Sequence, residues 1–564
     1  MKKLIFTVSL LASLVVGVKV SEACTNILVS RGASATGSTM VSYSADSHAL
    51  YGALYFLPAA DYSAGAMRVV REWDTGKVLG EIPEVAHTFS VVGNINEYQL
   101  LIGESTFGGR SELRDTTGLI DYGSLIYITL QRCKTAREAV EYMGWLVEEY
   151  GYYSSGESIS IADPNEVWYL EIIGKGTNMV VNKKTKQSYN ANKGAVWVAR
   201  RLPDGAISAH ANQARITTFP LDDPENCLYS SDVISFAREK GWFSGEDADF
   251  NFAHTYAPLD FGALRFCEAR VWSVFRQVDS SMEQYVDYAM GHNPQNVMPL
   301  WVFPHEKLTV KDVAEFMRNH YEDTPMDMTT DLGAGPHAMP YRWRPMRFDY
   351  QGKSYLMERA IATQQTGWWY VGECRSWLPN PIGGVLWFGT DDAATSPLTP
   401  FYCGITRIPE AYRDGNGHMT QWAESSFWIQ NRVTNFTYLR YDHIFPDVKA
   451  AMDQFETKCF EEQPAVDMAA QMLYEKNPAR AVEFLTDYSS NTATELYNRW
   501  VELDKFLLVK YIDGNTKAQN ADGSFKDNGQ NYDIPASPST PGYSDAWKKM
   551  VVEDAGEKLL ITEL

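Results

Sequence analysis

The sequence predicts an α+β fold, and three observations carry this prediction. Short apolar runs rich in β-branched and aromatic residues dominate the chain up to about residue 210. Similar strand-like, aromatic-rich sequence returns from about residue 354 to 445, and the chain from about 446 to 510 has helical spacing. No repeat of fixed period is apparent along the 564 residues.

The first strand-rich block begins with a predicted hairpin. Residues 25–30 and 39–43 are rich in strand-forming side chains, and the Gly and Ser residues between them are typical of a turn. The other strand-like segments of this block are 51–57, 87–93, 100–102, 124–130, 167–173 and 195–199.

Two helices are predicted around this block. Thr135 and Glu138 have the spacing of a capping box, apolar residues follow at helical intervals, and Gly151 ends the pattern. Thr309 and Asp312 begin a second helix in the same way. After the long helical stretch near the end of the chain, a connector rich in Gly, Asn, Pro and Ser precedes a short final helix.

Composition describes a large globular protein with an acidic surface. The chain is 45% hydrophobic, which is ample for a core, and it carries 50 Lys and Arg against 71 Asp and Glu. The resulting formal net charge of -21 argues against nucleic acid as a partner, because phosphate binding needs clustered Lys and Arg.

Residues 1–23 have the pattern of a secretory signal peptide. Two lysines open it, a mainly apolar run occupies 4–18, and Ser21 and Ala23 supply small residues before a cleavage site. The apolar run is shorter than the roughly 20 residues that a transmembrane helix needs. We therefore expect an exported protein, periplasmic or extracellular, without an integral membrane segment once the signal is removed.

Cleavage at this point makes Cys24 the new N-terminus, and three interpretations of it remain open. A structural cysteine is one. A lipoprotein cysteine is another, although Ser21 stands where an aliphatic residue usually precedes the acylated cysteine. A nucleophile is the third, because a terminal cysteine joins a thiol of pKa about 8.5 to an α-amine of about 7.7–8.0 that can accept its proton.

Asp46 ends the second strand of the predicted hairpin. A simple register brings it back beside Cys24, where a carboxylate would hold the α-ammonium group or orient the amine. From the spacing alone, a turn cap is an equally good interpretation of Asp46.

Other catalytic and metal-binding motifs are incomplete. The sequence beginning at His305 lacks the second histidine of a zinc protease helix, and the chain contains no Cys-x-x-Cys pair. The ten histidines are scattered along the sequence. We therefore predict neither a metal nor a cofactor.

Several motifs occur in order along the chain. The first comprises Cys24-Thr-Asn-Ile-Leu-Val, the Gly-Ser-Thr turn and the Ala-Asp-Ser-His ending of the hairpin. Further motifs follow at 104–109, 209–215, 323–328, 341–345 and 375–379. With these motifs in this order, the chain resembles the C69 dipeptidases, a branch of the N-terminal nucleophile hydrolases. The resemblance implies a four-layer αββα sandwich, whereas periodicity alone supports only α+β.

The resemblance also implies roles for individual residues. Asn212 is the expected side-chain donor to the oxyanion, and Arg270 is the expected supporting arginine, with Arg265 as its competitor. A dipeptide needs a carboxylate for its ammonium group, and the candidates for substrate binding are Glu104, Thr106 and Asp391.

These observations predict the function and the division of the chain. We expect a signal peptide at 1–23, a catalytic domain at 24–445 and a mostly helical region at 446–564 packed on that domain. The expected activity is hydrolysis of dipeptides through a Cys24 thiolate and a thioester. The alternatives are a penicillin V or bile-salt type of acylase and a non-catalytic lipoprotein.

Two further features are left open. A homo-oligomer is compatible with the sequence. The six cysteines other than Cys24 either pair as disulfides, for which about 15 connectivities exist, or remain buried and reduced.

Overall fold

The computed structural model describes residues 24–413, 419–530 and 534–562. The predicted signal peptide, residues 1–23, lies outside the described residues. The strands are β1 Thr25–Val29, β2 Thr39–Asp46, β3 Phe56–Leu57, β4 Ala60–Asp61, β5 Met67–Arg71, β6 Val78–Pro83, β7 His87–Thr88, β8 Val91–Val92, β9 Ile95–Asn96, β10 Leu101–Gly108, β11 Gly156–Ala162, β12 Val167–Gly174, β13 Met179–Val181, β14 Ser188–Asn190, β15 Ala195–Arg201, β16 Ile207–His210, β17 Cys227–Tyr229, β18 Trp301–Val302, β19 Arg347–Tyr350, β20 Lys353–Leu356, β21 Thr366–Cys374, β22 Gly384–Thr390 and β23 Thr399–Tyr402.

The helices separate the strand-rich blocks and then dominate the end of the chain. They are α1 Tyr122–Leu130, α2 Ala136–Tyr150, α3 Val233–Glu239, α4 Phe252–Tyr256, α5 Ala269–Val278, α6 Val286–Ala289, α7 Val310–Met317, α8 Asn380–Gly383, α9 Ser426–Leu439, α10 Tyr441–Lys476, α11 Pro478–Lys510 and α12 Asp545–Ala555.

Two large antiparallel sheets form the centre of the molecule. The seven-stranded sheet has the order β18-β16-β1-β2-β21-β22-β23, and the eight-stranded sheet has the order β17-β15-β12-β11-β10-β9-β8-β3. In the hairpin of β1 and β2, Thr25 pairs with Ser44 and Val29 with Met40 without a slip. The fold is therefore α+β with antiparallel sheets and C-terminal helices, as the sequence predicts.

The side chains of β2 show how the layers meet. Tyr43 reaches Glu104 on β10 of the other sheet, whereas its neighbour Ser42 contacts Met317 on α7. Because successive side chains of a strand point to opposite faces, β2 lies between the eight-stranded sheet and α7. Helices α1 and α2 pack on the eight-stranded sheet.

Most of the predicted elements are confirmed. Helix α2 begins after Thr135, whose side chain accepts from the backbone N–H of Glu138, and it ends at Gly151, where φ is 79°. Helix α7 begins with the complete capping box of Thr309 and Asp312. The long helical stretch forms α10 and α11, and the short final helix is α12.

Two predicted strand segments are wrong, since both are helices. Residues 124–130 belong to α1, which Asp121 caps by accepting from Ser124 N–H. Nearly every residue of α1 is buried, and a short uninterrupted apolar run does not distinguish a buried helix from a strand. Within the predicted block of 354–445, residues 426–439 form α9, because packing against β22 and α11 overrides the strand preference of its aromatic and Thr residues.

All seven cysteines are free thiols. Six of them are buried and Cys267 is half-buried. The six cysteines other than Cys24 are therefore reduced thiols in the structure and are not paired as disulfides.

A buried ion pair ties the C-terminal helices to the sheets. Arg318, directly after α7, donates to both carboxylate oxygens of Glu456 on α10, at 2.6 and 3.2 Å. Glu456 also accepts the backbone N–H of Leu398 at 2.8 Å. The arginine has a second acidic partner, Glu315, at 2.8 Å, but that side chain is 39% exposed, against 4% for Glu456.

We predict that Glu456→Ala destabilises the protein by about 3–5 kcal/mol, because it leaves the charge of Arg318 buried without its main partner. Glu315→Ala removes the exposed partner of the same arginine and is expected to cost about 0–1 kcal/mol. Urea denaturation followed by tryptophan fluorescence measures both. Equal losses of stability in the two variants would contradict the assignment of Glu456 as the main partner.

Candidate active site

Cys24 stands at the start of β1, an interior strand of the seven-stranded sheet. The residue is only 4% exposed. Its carbonyl oxygen accepts a hydrogen bond of 2.7 Å from Nη1 of Arg270. The backbone of Cys24 is therefore held by an arginine as well as by its position beside a central strand.

The thiol of Cys24 faces the eight-stranded sheet. Sγ lies 3.8 Å from Oη of Tyr43 and 3.7 Å from Oε1 of Glu104. The hydroxyl of Tyr43 donates to the same carboxylate oxygen. A thiol, a phenol and a carboxyl group thus meet at one buried point between the two sheets.

Glu104 and Glu157 form a buried pair of carboxyl groups on the neighbouring strands β10 and β11. Burial raises the pKa of Glu104 to about 7, although hydrogen bonds from Tyr43 and Glu157 oppose the shift. Burial and the negative charge of Glu104 raise the pKa of Glu157 well above its ordinary value. Glu157 therefore holds its proton to higher pH than an ordinary glutamate, while Glu104 gains and loses its proton near neutrality.

Thr106 connects this acid pair to Asn212. Its hydroxyl donates to Oε1 of Glu157 at 2.9 Å, and its carbonyl oxygen accepts from Nδ2 of Asn212 at 2.7 Å. Asn212 follows β16 with a φ of 65°, a left-handed conformation that Asn adopts more readily than most residues. Strand β16 is therefore followed by a turn in which the side chain of Asn212 points toward β10.

Arg270 lies in the first turn of α5, directly after the π-helical segment Ala263–Glu268. Arg265, its competitor from the sequence, instead pairs with Glu358 at 2.6 Å. Nη1 and Nη2 of Arg270 donate to four acceptors: the carbonyl oxygen of Cys24, Oγ1 of Thr25, the carbonyl oxygen of Ala211 and Oδ1 of Asn212.

Asp46 lies at the same end of the sheet as Cys24, two residues beyond the partner of Thr25. Its carboxylate accepts from Arg359 and from Oγ1 of Thr366, the latter at 2.6 Å. Burial raises the pKa of Asp46, and the charge of Arg359 opposes that shift. The structure therefore places this carboxylate at the same end of the hairpin as Cys24, where it forms an ion pair with the buried Arg359.

Asp391 lies far from Cys24 in the sheet. It follows β22, three strands from β1 in the sheet, which is roughly 14 Å at the usual strand spacing. Asn431 of α9 donates to its carboxylate at 2.8 Å, and burial raises its pKa to about 7. Its predicted role in substrate binding stays a prediction.

The profile of peptidase family C69 matches residues 23–454 of the chain. The chain belongs to peptidase family C69. Its relatives include a probable dipeptidase of Latilactobacillus sakei, 25% identical over 496 residues that cover 85% of this chain and 93% of the relative. Dipeptidase A of Lactobacillus helveticus is 23% identical over 380 residues, covering 67% of this chain and 69% of the relative. A dipeptidase of Bifidobacterium longum is 22% identical over 351 residues, covering 61% and 58%.

Several residues around the thiol of this C69 peptidase were not predicted from its sequence. Tyr43 is one, and the only signal for it is its position on the hairpin two residues before Ala45, on the face opposite Ser44. Glu157 is another, and its signal is a lone acidic residue in the otherwise small and apolar sequence of β11. Neither signal distinguishes a site residue from a buried structural one.

His210 of this C69 peptidase joins the two sheets. Its Nδ1 lies 2.6 Å from Oγ of Ser105 and its Nε2 lies 2.7 Å from Oγ of Ser160. Burial, followed by the nearby charges of Arg215 and Arg270, holds the pKa of His210 well below its ordinary value. The imidazole is therefore neutral, and it serves as a rigid link behind the site.

A cationic cavity opens beside Asp46. Its volume is only about 10 Å³, room for one water molecule, and Arg342, Arg344 and Arg359 are among its lining residues. Burial and the charge of Arg359 lower the pKa of Arg344 to about 10. Arg342 pairs with Asp331, whereas Arg344 has no carboxylate within ion-pair distance in the described part of the chain and bonds to the amide of Gln365.

One cluster of metal-ligand side chains with suitable spacing occurs among the described residues, and it does not include Cys24. The cluster consists of His337, Asp442 and His443.

We predict that Arg270→Met lowers the free energy of unfolding by roughly 3 kcal/mol or more, because buried acceptors lose their donors at about 1–3 kcal/mol each. It should also slow peptide hydrolysis by at least about 100-fold, since Cys24 and Asn212 lose their common anchor. The same substitution at Arg265 is the control and should have a smaller effect on both. Urea denaturation and peptide hydrolysis measure the two effects, and a larger loss for Arg265→Met would reverse the assignment.

Proposed function

We propose that the mature protein is an exported cysteine-type dipeptidase whose nucleophile is the thiol of Cys24. The observation that carries this proposal is the buried carboxyl group of Glu104, whose Oε1 lies 3.7 Å from Sγ of Cys24. The names of the relatives in Latilactobacillus sakei, Lactobacillus helveticus and Bifidobacterium longum support a dipeptide as substrate.

The position of Glu104 suits the free ammonium group of a dipeptide. In such a substrate the ammonium nitrogen and the scissile carbonyl carbon are bonded to the same Cα, so they lie about 2.5 Å apart. When the carbonyl reaches the sulfur, the ammonium group therefore comes within reach of a carboxylate beside that sulfur. An acylase substrate carries no charge at this point and would leave the buried carboxylate of Glu104 without a cationic partner.

The reaction begins when cleavage before Cys24 frees its α-amine. The amine accepts the thiol proton, directly or through a water, and the thiolate attacks the carbonyl carbon of the substrate. A C–S bond forms and the carbonyl electron pair moves to oxygen. As that pair returns, the C–N bond breaks and the amine gives its proton to the departing amino acid. Water then hydrolyses the thioester and restores the thiol.

Asn212 and Arg270 have complementary roles in this scheme. Asn212 stabilises the oxyanion with one N–H of its side chain, while Thr106 accepts the other at 2.7 Å. Arg270 is a positioning residue, because its bond of 2.9 Å to Oδ1 of Asn212 turns the amide nitrogen toward β10. Asp46 stabilises the α-ammonium group that forms when the amine takes the thiol proton.

The free carboxylate of the dipeptide needs a cation, and Arg344 is the best candidate. It lines the cavity beside Asp46 and has no carboxylate partner within ion-pair distance among the described residues. A guanidinium group binds a carboxylate through two parallel hydrogen bonds, which suits recognition of a free chain end.

The fold that we propose is the four-layer αββα sandwich of the N-terminal nucleophile hydrolases, with a helical C-terminal extension. The contacts of β2 with the eight-stranded sheet on one face and α7 on the other support it, as do α1 and α2 on the far side. The domain limits 24–445 and 446–564 remain predictions. No helix in the described ranges is both long and apolar enough to cross a membrane.

We predict that Cys24→Ala lowers kcat/KM for dipeptides by roughly 10⁴-fold or more, because the nucleophile is lost. Cys24→Ser retains a small residual activity, since a hydroxyl is a weaker nucleophile in the same place. Dipeptide hydrolysis monitored by amino-acid release measures both variants. Full activity of Cys24→Ala would overturn the mechanism.

The mature N-terminus is tested separately by intact mass spectrometry of the soluble and membrane fractions. We expect a soluble chain that begins at Cys24 with an unmodified amine. A diacylglyceryl group on Cys24 would instead support the lipoprotein alternative, because an alkylated sulfur and an acylated amine cannot catalyse the reaction.

The ionisation of Glu104 predicts the acidic limb of the pH profile. Its pKa is about 7, so below this pH the carboxylate becomes protonated and loses its attraction for the substrate ammonium group. Glu104→Gln should therefore lower kcat/KM for free dipeptides by roughly 10–100-fold and change little for N-acetylated ones. The pH dependence of kcat/KM in both proteins checks this.

The matched control is Glu171→Gln. Burial also raises the pKa of Glu171 to about 7, but this carboxyl group accepts the backbone N–H groups of Arg215 and Ile216 away from the thiol. We expect it to keep the preference for free over N-acetylated dipeptides. The acylase alternative would be favoured if wild-type protein and Glu104→Gln both preferred N-acylated substrates.

A further inference from the structure

The side chains of His337, Asp442 and His443 form a cluster well apart in sequence from the residues around Cys24. The histidines are scattered along the chain, and their spacing gives no sign of this cluster. Folding nevertheless brings one nitrogen of each imidazole and one carboxylate oxygen within 4.8 Å of one another. We propose that these three side chains bind a zinc-type divalent cation.

The separations fit the coordination geometry of such an ion. Nδ1 of His337 lies 3.3 Å from Oδ1 of Asp442, and Nε2 of His443 lies 3.6 Å from Oδ2. Ligands at 2.0–2.1 Å from a tetrahedral zinc ion are about 3.3–3.4 Å apart. Each imidazole therefore lies close to the required distance from one oxygen of Asp442, His337 from Oδ1 and His443 from Oδ2. One ligand atom from each of the three side chains lies within 4.8 Å of the others, so small rotations bring them to one ion.

The chemistry of the three groups selects the class of metal. Two imidazole nitrogens and a carboxylate suit Zn²⁺ and its neighbours Co²⁺, Ni²⁺ and Cu²⁺ better than Ca²⁺ or Mg²⁺, which prefer oxygen ligands only. The exposed fractions of the three side chains are 17%, 33% and 30%, so solvent reaches the cluster. Water can therefore complete the coordination shell.

Nδ1 of His337 supplies an independent indication of a missing ligand. This nitrogen is buried, and among the described residues it has no hydrogen-bond partner despite its approach to Asp442. Buried polar atoms are nearly always satisfied in native proteins. A metal ion between the two side chains would satisfy the nitrogen and neutralise the carboxylate together.

The backbone on each side of the cluster is fixed before any metal arrives. The turn Leu332–His337 is capped by Asp331, and Ala338 after it has a left-handed φ of 54°. On α10, the carbonyl oxygen of His443 accepts from the hydroxyl of Tyr511 at 2.6 Å. The ligands are therefore presented by two anchored segments, which reduces the entropy lost on binding.

The site would fasten the C-terminal segment to the rest of the molecule. The ring of Tyr543 lies 5.9 Å from the ring of His337, and α12 packs on the turn that carries this histidine. A metal that fixes the imidazole also fixes the surface against which Tyr543 packs. The role we assign to the ion is thus structural, as a clasp between the turn, α10 and the end of the chain.

Calorimetric titration of the full-length mature protein with zinc chloride tests the proposal. A Cys24→Ser background is used so that the thiol does not bind the metal. We expect one zinc ion per chain with a micromolar or lower Kd, and at least a tenfold weaker Kd for His337→Ala and for His443→Ala. Zinc should raise the Tm of the parent and not of these variants.

His87→Ala is the matched control. His87 also sits beside a carboxylate, 2.7 Å from Asp61, but that pair is exposed and belongs to no cluster of three. We expect its zinc binding to equal that of the parent. Absorption of bound Co²⁺ in the visible range provides a second readout of nitrogen and oxygen ligands.

The proposal would be overturned if the parent bound no zinc at micromolar free metal. It would also be overturned if His337→Ala and His443→Ala bound zinc as tightly as the parent. If either histidine variant fails to fold, Asp442→Asn replaces it, because this substitution preserves the shape of the side chain. Zinc binding as tight as that of the parent in Asp442→Asn would then overturn the proposal. None of these measurements depends on dipeptidase activity.

Discussion

The guanidinium group of Arg270 is the interaction on which the geometry of the site depends. It is fully buried, and a buried cation is tolerated only when its donors are satisfied. Its acceptors belong to the start of β1 and to the turn after β16. Cys24 and Asn212 thus have one common anchor on α5, and they cannot shift relative to each other without leaving donors of that buried charge unsatisfied.

The site also separates opposite charges across the hairpin of β1 and β2. Glu104 and Glu157 lie on the side of the eight-stranded sheet, while Arg270 and Arg359, which pairs with Asp46, lie on the other side. The dipeptide that we propose as substrate is itself a dipole with its ammonium group next to the scissile bond. The arrangement of charges favours one orientation of such a dipole, because the reversed molecule would place like charges together.

The sequence predicts the local parts of this site better than the long-range ones. The hairpin of Cys24 and Asp46, the capped helices and the α+β class follow from spacing and turn chemistry, which act within a few residues. The helix at 124–130 was missed because an uninterrupted apolar run has no periodicity. Contacts such as Glu104 with Cys24, or His337 with His443, join segments some 80 and 106 residues apart and depend on how the layers pack.

The seven reduced cysteines have a consequence for how the protein withstands oxidation. Burial raises the pKa of Cys227 to about 11 and those of Cys403 and Cys459 to about 12, so very little thiolate is available for oxidation. The native state therefore contains no disulfide that folding would have to form. In the mechanism that we propose, Cys24 also stays available as the reactive sulfur, because the other thiols ionise too little to pair with it.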